Sequence, residues 1–414
     1  MSPDVVVVGG GLAGLTAALR LVQDGRRVVV VAKGVGATHL TGGTIDVLGY
    51  TPDRVDSPRS AVSELVGARP DHPYARLGVE LLERSLDWFT EATGTLGYTG
   101  SMDENLLLPS AVGAQRPTAL APASMAGGDL RPSPRVLIAG FRALKDFYPA
   151  YLADNLTRAG IEARSTLLAA SPRPGEADVN GLIYAAALDA DGGFRRRLAE
   201  ELAARVESGE SVGLPAVLGL EKAPEVWREL QDRIGAPIFE IPTLPPSVPG
   251  MRVHRRFAAA LRKGAARSIV GAVAVGAETR NGSIDAVVVQ DAARKRPYRA
   301  RAFVLATGGF ASGGLDLELG GNVRESVLGL PVAGTPDGSA FAAGALDPQP
   351  LSRAGLAVDD ELRPVDADGK VVYDNVYAAG AMLAGAEPWR EKSGDGISIA
   401  SGIRAAEAIG ERLQ

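Results

Sequence analysis

Four consecutive β-branched residues, Val5 to Val8, form an unbroken apolar run near the start of the chain. That is the pattern of a parallel strand buried on both faces. GGGLAG follows, and from Leu12 to Gln23 the apolar residues Leu15, Ala18, Leu19 and Val22 recur at helical spacing. Asp24-Gly25 stops this helix, and Arg27 to Ala32 returns to a strand, so residues 4 to 33 predict a βαβ unit. From about residue 51 the pattern changes. Proline-bearing loops (RPDHPY, RPSPR, SPRPG) separate segments that predict helices, notably Val79 to Thr93, Arg142 to Ala159 and Gly193 to Glu207. Strand signals resume beyond residue 250, at Ser268 to Ala277, Ile284 to Gln290 and Tyr298 to Ala306, with Asn281-Gly282 as a turn signal. A short strand from Val376 and a terminal helix from about Gly396 to Arg412 complete the pattern.

This order predicts an α/β fold in which a nucleotide-binding sheet, residues 1–50 and 251–414, is interrupted by an α+β cap domain at 51–250. The length agrees: 414 residues exceed the ~250–300 at which single cores stop growing. Glycine supplies 51 residues, well above the average of ~7%, so many backbone positions must turn sharply or approach a ligand closely.

Charge and cysteine content narrow the chemistry. A net charge of −5 without a basic run of five argues against nucleic-acid binding. With no cysteine, the chain has no thiolate for an iron–sulfur cluster and no redox disulfide. His39, His72 and His254 lie far apart in sequence and form no metal-ligand spacing. Any redox role therefore falls to a bound organic cofactor. No apolar stretch nears the ~18 residues of a membrane span, and the N-terminus lacks a basic signal-peptide region, so a cytoplasmic location is expected.

Gly9-Gly10-Gly11-Leu12-Ala13-Gly14 places G-x-G-x-x-G after a strand and at the start of a helix. There Gly9 permits the tight turn, Gly11 lets backbone approach a phosphate, and Gly14 lets helix and strand pack closely. The amides and dipole of the helix start then bind the phosphate. In such units an acid about twenty residues on accepts the adenosine ribose hydroxyls. Here the second strand ends in Ala32 and Lys33 instead. Three ligands fit this departure: an NADP-type ligand with Lys33 as phosphate counter-ion, FAD held by other groups, or FMN, which has no adenosine ribose. Lys33 can equally be a solvated strand end.

The distal glycines favour a flavin. LATGG (305–309, with Thr307 and Gly308) and NVYAAGA (375–381, with Gly380) are two further strand–glycine endings expected to converge on the first. Ser393-Gly394-Asp395-Gly396, continuing into Ile397, starts the last helix, whose positive end would face the pyrimidine edge of a reduced flavin. Asp395 is a good N-cap residue expected to point at backbone amides. Thr41, Gly42, Gly43 and Thr44, ahead of Ile45-Asp46, form a small-residue loop suited to passing beside the flavin ring. The fold expected is thus a Rossmann-like FAD/FMN-binding domain with an inserted cap. In TLPPSVPGMRV (243–253), three prolines predict a rigid extended turn. Arg252 there suits equally a grip on an organic anion and the solvated basic face of a following helix, the reading that fits Arg255 and Arg256.

The stretches VVVVGGGLAGLTAALRLVQDG, TGGTIDVL (41–48), HPY (72–74), LPAVLGL (214–220), TLPPSVPGMRV, LATGGFASGGL and the closing glycine-rich helix resemble the B subunit of anaerobic glycerol-3-phosphate dehydrogenase, nearly end to end. That family is similar to the fumarate reductase and succinate dehydrogenase flavoproteins. The resemblance implies FMN in this chain and a three-subunit assembly on the inner face of the cell membrane. An FAD-containing catalytic partner, the A subunit, oxidises sn-glycerol 3-phosphate to dihydroxyacetone phosphate. An iron–sulfur partner, the C subunit, anchors the complex and passes electrons to quinone. Two features depart from the family: the glycine-rich C-terminal loop has no cysteine, and Asp395 interrupts a glycine-type turn.

Overall fold

The computed structural model describes residues 2–292, 294–336 and 338–414. Its central sheet has five parallel strands: β1 (Val5–Val8), β2 (Val28–Ala32), β3 (Ala266–Val270), β4 (Ala302–Leu305) and β5 (Val376–Ala378). Their spatial order is β3-β2-β1-β4-β5. Every residue of β1, β2, β4 and β5 is buried, which is why these strands read as continuous apolar runs. Each such valine contributes ~1.5–3 kcal/mol by its burial. The chain runs from β1 outward through β2 to β3, then returns to β4 and β5 on the other side. The order reverses between β1 and β4, and at such a switch point the strand-end loops part to leave a crevice.

Two helices close one side of that crevice. Helix α1 (Leu12–Gln23) joins β1 to β2, and the C-terminal helix α4 (Gly394–Arg412) lies against it. Their backbones come close: a Cβ on Gly402 would stand 2.7 Å from the Ala13 carbonyl oxygen and 3.0 Å from Thr16 Cβ. Helix α2 (Pro73–Thr93) packs on α4. It begins six residues before the helix expected at Val79, because Pro73 occupies the first turn and the His72 side chain accepts the Tyr74 N–H. Gly78, at φ +73°, kinks it after that turn. Residues of the 58–102 stretch, including Val62, Tyr74, Phe89 and Tyr98, join the same core as the main sheet.

A second core surrounds a four-stranded parallel sheet, ordered Ile238–Ile241, Glu210–Pro215, Arg135–Phe141, Ala163–Leu168. The helix expected over Arg142 to Ala159 is shorter, Pro149–Arg158, since Pro149 starts it and a strand ends at Phe141. The helix expected over Gly193 to Glu207 runs Gly192–Ala203.

Returning to the first core, helix α3 (Val248–Lys263) leads into β3. The strand expected over Ser268 to Ala277 is two strands in different sheets, because Gly271 at φ +86° turns the chain between β3 and Val273–Arg280. The strand expected over Tyr298 to Ala306 likewise divides into Arg294–Arg299 and β4. Asn281 and Gly282, at φ +50° and +78°, make the expected turn. Among the described residues, no helix is long and apolar enough to cross a membrane.

The β1–α1 junction allows no side chain at Gly14, where a Cβ would lie 2.1 Å from the Gly9 carbonyl oxygen. Gly14→Ala is expected to destabilise the protein by ~1–3 kcal/mol, as overpacking does. Gly67→Ala, in the helix Pro58–Ala68 with open space around it, should be neutral or stabilising. Thermal unfolding of the two variants beside wild type tests the contrast; equal melting temperatures for both would contradict it.

Candidate nucleotide-binding cleft

At the switch point, the strand endings and helix starts enclose a cleft of about 1280 Å³, open mouth included. Gly9, Gly10, Gly11, Leu12, Ala13, Lys33, Thr41, Thr307, Gly308, Gly380, Gly394 and Asp395 all line it. The three strand–glycine endings therefore meet, as expected. Gly9 sits at φ +125° and a Cβ there would lie 2.0 Å from the Ala306 carbonyl oxygen, so the β1 and β4 endings touch through backbone. Gly380, at φ +80°, brings the β5 ending against the Ala13 side chain, where a Cβ would lie 2.8 Å from the Ala13 Cβ.

Gly11 is different. No atom lies within 4 Å of where its Cβ would be, which leaves the start of α1 open on the cleft side. That start has no side-chain cap and no acid in its first turn. Uncapped amides at the positive end of a helix form an anion site, and an absent Cβ lets a phosphate reach them. Ala32 is buried at the end of β2, while Lys33 is exposed and faces the same cleft.

Other expected positions stand behind the wall. Gly14 supports the turn from below. Gly42 lies beside Pro242 and Arg116, and Gly43 against Pro249. Thr44 is buried and donates to Asp46 Oδ1 at 3.4 Å. Gly396 packs on Val47 and the Tyr74 hydroxyl, and Ile397 belongs to the core. Sequence reasoning did not identify the Gly34–Thr38 segment, Ala272 to Ala274, Ser312, Ser326 or Ser398 as part of the wall. Gly36 carried the one available signal: at φ +75° it lies directly against the Gly10 and Gly11 backbone.

Asp395 lies in the first turn of α4, not at its N-cap, which is Ser393, whose hydroxyl donates to Glu391 and caps no helix amide. Its carboxylate does meet a backbone amide, accepting the Asp46 N–H at 3.3 Å. Asp46 in turn is buried and paired with the Arg116 guanidinium. Burial, and then the negative charge of Asp46, push the Asp395 carboxyl up to about 7, against smaller opposing pulls from the Asp46 amide, Arg116 and Lys392.

Arg252 corrects the sequence reading. Ser247 caps α3 and its side chain accepts the Gly250 N–H, so the proline-rich stretch passes into a helix with Arg252 inside it. Its guanidinium is 3% exposed and donates twice to Glu240, at 2.6 and 2.8 Å, and once to the Gly219 carbonyl at 2.8 Å. Three of its five N–H donors are so committed, and Arg252 is not among the residues that line the cleft. Arg255 pairs with Glu221, and Arg256 reaches Thr95.

The histidines also differ from their sequence separation. His39 and His254 stack edge to face with centroids 4.5 Å apart. Burial, then neighbouring His39, Arg255 and Arg262, lower His254 to about 4. His72 is buried with Nε2 3.2 Å from Glu391. Among the described residues, no group of three possible ligands gathers for a metal.

Known proteins match this chain along nearly its whole length. The FAD binding domain family matches residues 4–397. The B subunit of a probable anaerobic glycerol-3-phosphate dehydrogenase from Halobacterium salinarum is 34% identical over 425 residues, covering 99% of this chain and 98% of that protein. The B subunit of the anaerobic glycerol-3-phosphate dehydrogenase from Pectobacterium atrosepticum is 34% identical over 427 residues, covering 99% of each. Among solved structures, a 3-ketosteroid delta1-dehydrogenase from Sterolibacterium denitrificans matches with a TM-score of 0.49 and 13% identity, over 99% of this chain and 100% of that one.

The raised Asp395 has a sign-specific consequence. Between about pH 4 and 7 the folded protein keeps a proton that the unfolded chain has already lost, so this group makes wild type less stable as pH rises. Asp395→Asn removes the titration. The variant is expected to match wild type near pH 4 and to melt higher near pH 8, by ~1 °C for each kcal/mol relieved in a chain of 414 residues. A melting-temperature difference independent of pH would refute the assignment.

Proposed function

The chain belongs to the B-subunit family of anaerobic glycerol-3-phosphate dehydrogenase, within the FAD binding domain family, and from that premise we propose that it is the flavin-carrying electron-transfer subunit of such an enzyme. It receives electrons from an FAD-containing catalytic subunit that oxidises sn-glycerol 3-phosphate to dihydroxyacetone phosphate. It passes them to an iron–sulfur subunit that holds the complex at the inner face of the membrane and reduces quinone.

The observation that carries this reading is the composition of the cleft wall. Among the described residues it offers one cation, Lys33, and one acid, Asp395, beside glycine, alanine, serine, threonine and a few aliphatic residues. Such a wall suits a nucleotide held by backbone amides. A polyol phosphate needs a cationic clamp and a base positioned at a carbinol, and Arg252 is committed to Glu240. Substrate oxidation therefore belongs to the partner. The alternative of a self-sufficient dehydrogenase gripping its substrate through Arg252 loses its main residue.

The residues fit a flavin nucleotide in order. Gly9 to Gly14 and the start of α1 would bind the phosphate, with Lys33 balancing its charge. Thr41 and the start of α4, at Gly394 and Asp395, would border the ring, with Gly42 to Thr44, Gly396 and Ile397 supporting that border from behind. Thr307, Gly308 and Gly380 would shape the floor. The flavin, when bound, supplies reversible electron uptake; the chain's part is to bind it, orient it and limit water around it.

FMN is the ligand that needs no ribose acceptor at Ala32. One observation favours FAD instead: the wall continues past Lys33 to Ala272, Val273 and Ala274, beyond the phosphate turn. Mass measurement of the cofactor released by acid from freshly purified protein separates the two, and stoichiometric FAD would reject FMN. Gly11→Val places side-chain atoms in the open space before α1. It should fold with a melting temperature near that of wild type and lose flavin occupancy at least tenfold, about 1.4 kcal/mol or more. Retained flavin in that variant would overturn the phosphate assignment.

A further inference from the structure

Asp395 faces the cleft from the first turn of α4, and the groups around it are unevenly matched. Asp46, on the loop after Thr44, already holds the Arg116 guanidinium, so two neighbouring carboxylates share one cation. Lys392 acts on Asp395 from before α4, at longer range. Tyr74 on α2 and Tyr98 are buried phenols that donate to the Val47 and Gly43 carbonyls, and neither neutralises a carboxylate. Among the described residues, Lys33 is the one cation on the cleft wall. Asp395 is therefore the carboxylate of the pair without an ion-pair partner, and any added negative charge in the cleft acts directly on it.

We propose that Asp395 is a redox-linked proton acceptor, taking up one proton when the flavin in this cleft is reduced by two electrons. The inference rests on the flavin reading given above. Two electrons, from a reduced partner flavin or a reduced viologen, enter with two protons. One proton bonds to N5 of the ring. The other bonds to a carboxylate oxygen of Asp395, leaving one negative charge on the ring beside the start of α4. Asp46 remains paired with Arg116. The positive end of α4 favours the ionised form of Asp395 before reduction, so the carboxyl is not locked in its protonated form. An arriving negative charge tips it to the protonated form, because like charges in a poorly solvated site raise each other's proton affinity. Asp395 would then act as a positioning and charge-balancing residue: the cleft gains electrons without gaining their full charge.

The test uses the full chain carrying its own flavin, reduced anaerobically by reduced viologen in weakly buffered solution slightly above neutral pH. Protons taken up are counted with an indicator dye. Wild type is expected to take up two protons per two electrons, and Asp395→Asn one. The midpoint potential should fall by ~59 mV per pH unit in wild type and ~30 mV in the variant, since each proton contributes ~29.6 mV per tenfold for a two-electron couple. Asp46→Asn frees Arg116 for Asp395, keeps it ionised and should also give one proton; this variant serves if Asp395→Asn fails to fold. Asp395→Glu should restore the second proton. Equal proton counts in flavin-loaded wild type and variants overturn this proposal and leave the flavin reading intact. A protein that binds neither FMN nor FAD overturns both.

Discussion

The cleft depends on backbone meeting backbone at the carboxyl end of the sheet. Gly9 lies against Ala306, Gly14 against Gly9, Gly36 against Gly10 and Gly11, and Gly380 against Ala13. Three chain segments far apart in sequence, around Gly36, Ala306 and Gly380, thus come within van der Waals distance of one turn. Most of these contacts would fail with a single added methyl group, through strain or separation of the elements. The result is a wall made largely of amides and small side chains. Such a wall recognises a phosphate and a flat ring by shape and dipole, and leaves the chemistry to the ligand.

Buried charge is used in two contrasting ways around this wall. Glu240 receives two bonds from Arg252, one from Ser124 Oγ and one from the Leu218 amide. Arg252 directs a third donor to Gly219. The carboxylate is fully satisfied and the guanidinium is buried on it, so the pair ties α3 to the sheet of the insertion, away from the cleft. Removing one partner of such a pair typically costs ~3–5 kcal/mol, since the other is left buried and uncompensated. Asp395 is the opposite case: it has one backbone donor, a like-charged neighbour and a face on the cleft. Full satisfaction marks a structural pair, and incomplete satisfaction marks a group able to respond.

The same distinction explains Arg252 as a sequence expectation. Three prolines did mark a rigid segment, but Ser247 and Pro249 also start a helix well, with the serine as cap. Whether an arginine one turn later faces solvent, substrate or a carboxylate depends on what packs on that helix. Glu240 lies twelve residues earlier, on a strand of another sheet. Nothing local links the two. His39 and His254 were likewise distant in sequence and are neighbours in space.

What the sequence determined by itself was the set of elements whose signals are local. The β1–α1–β2 unit, the glycine turn, the Asn281-Gly282 turn and the terminal helix follow from apolar periodicity and from backbone angles that only certain residues adopt. Two strand breaks were missed, one at Gly271, which a glycine does mark, and one at Ala300-Arg301, which nothing marks, and so was the Arg135–Phe141 strand. Tertiary structure decided which glycines face the cleft and which stand behind it, why Gly11 is open while Gly14 is filled, and which carboxylate keeps a cation. The physical reason is that packing and electrostatics sum over neighbours in space, and a parallel sheet draws those neighbours from hundreds of residues away.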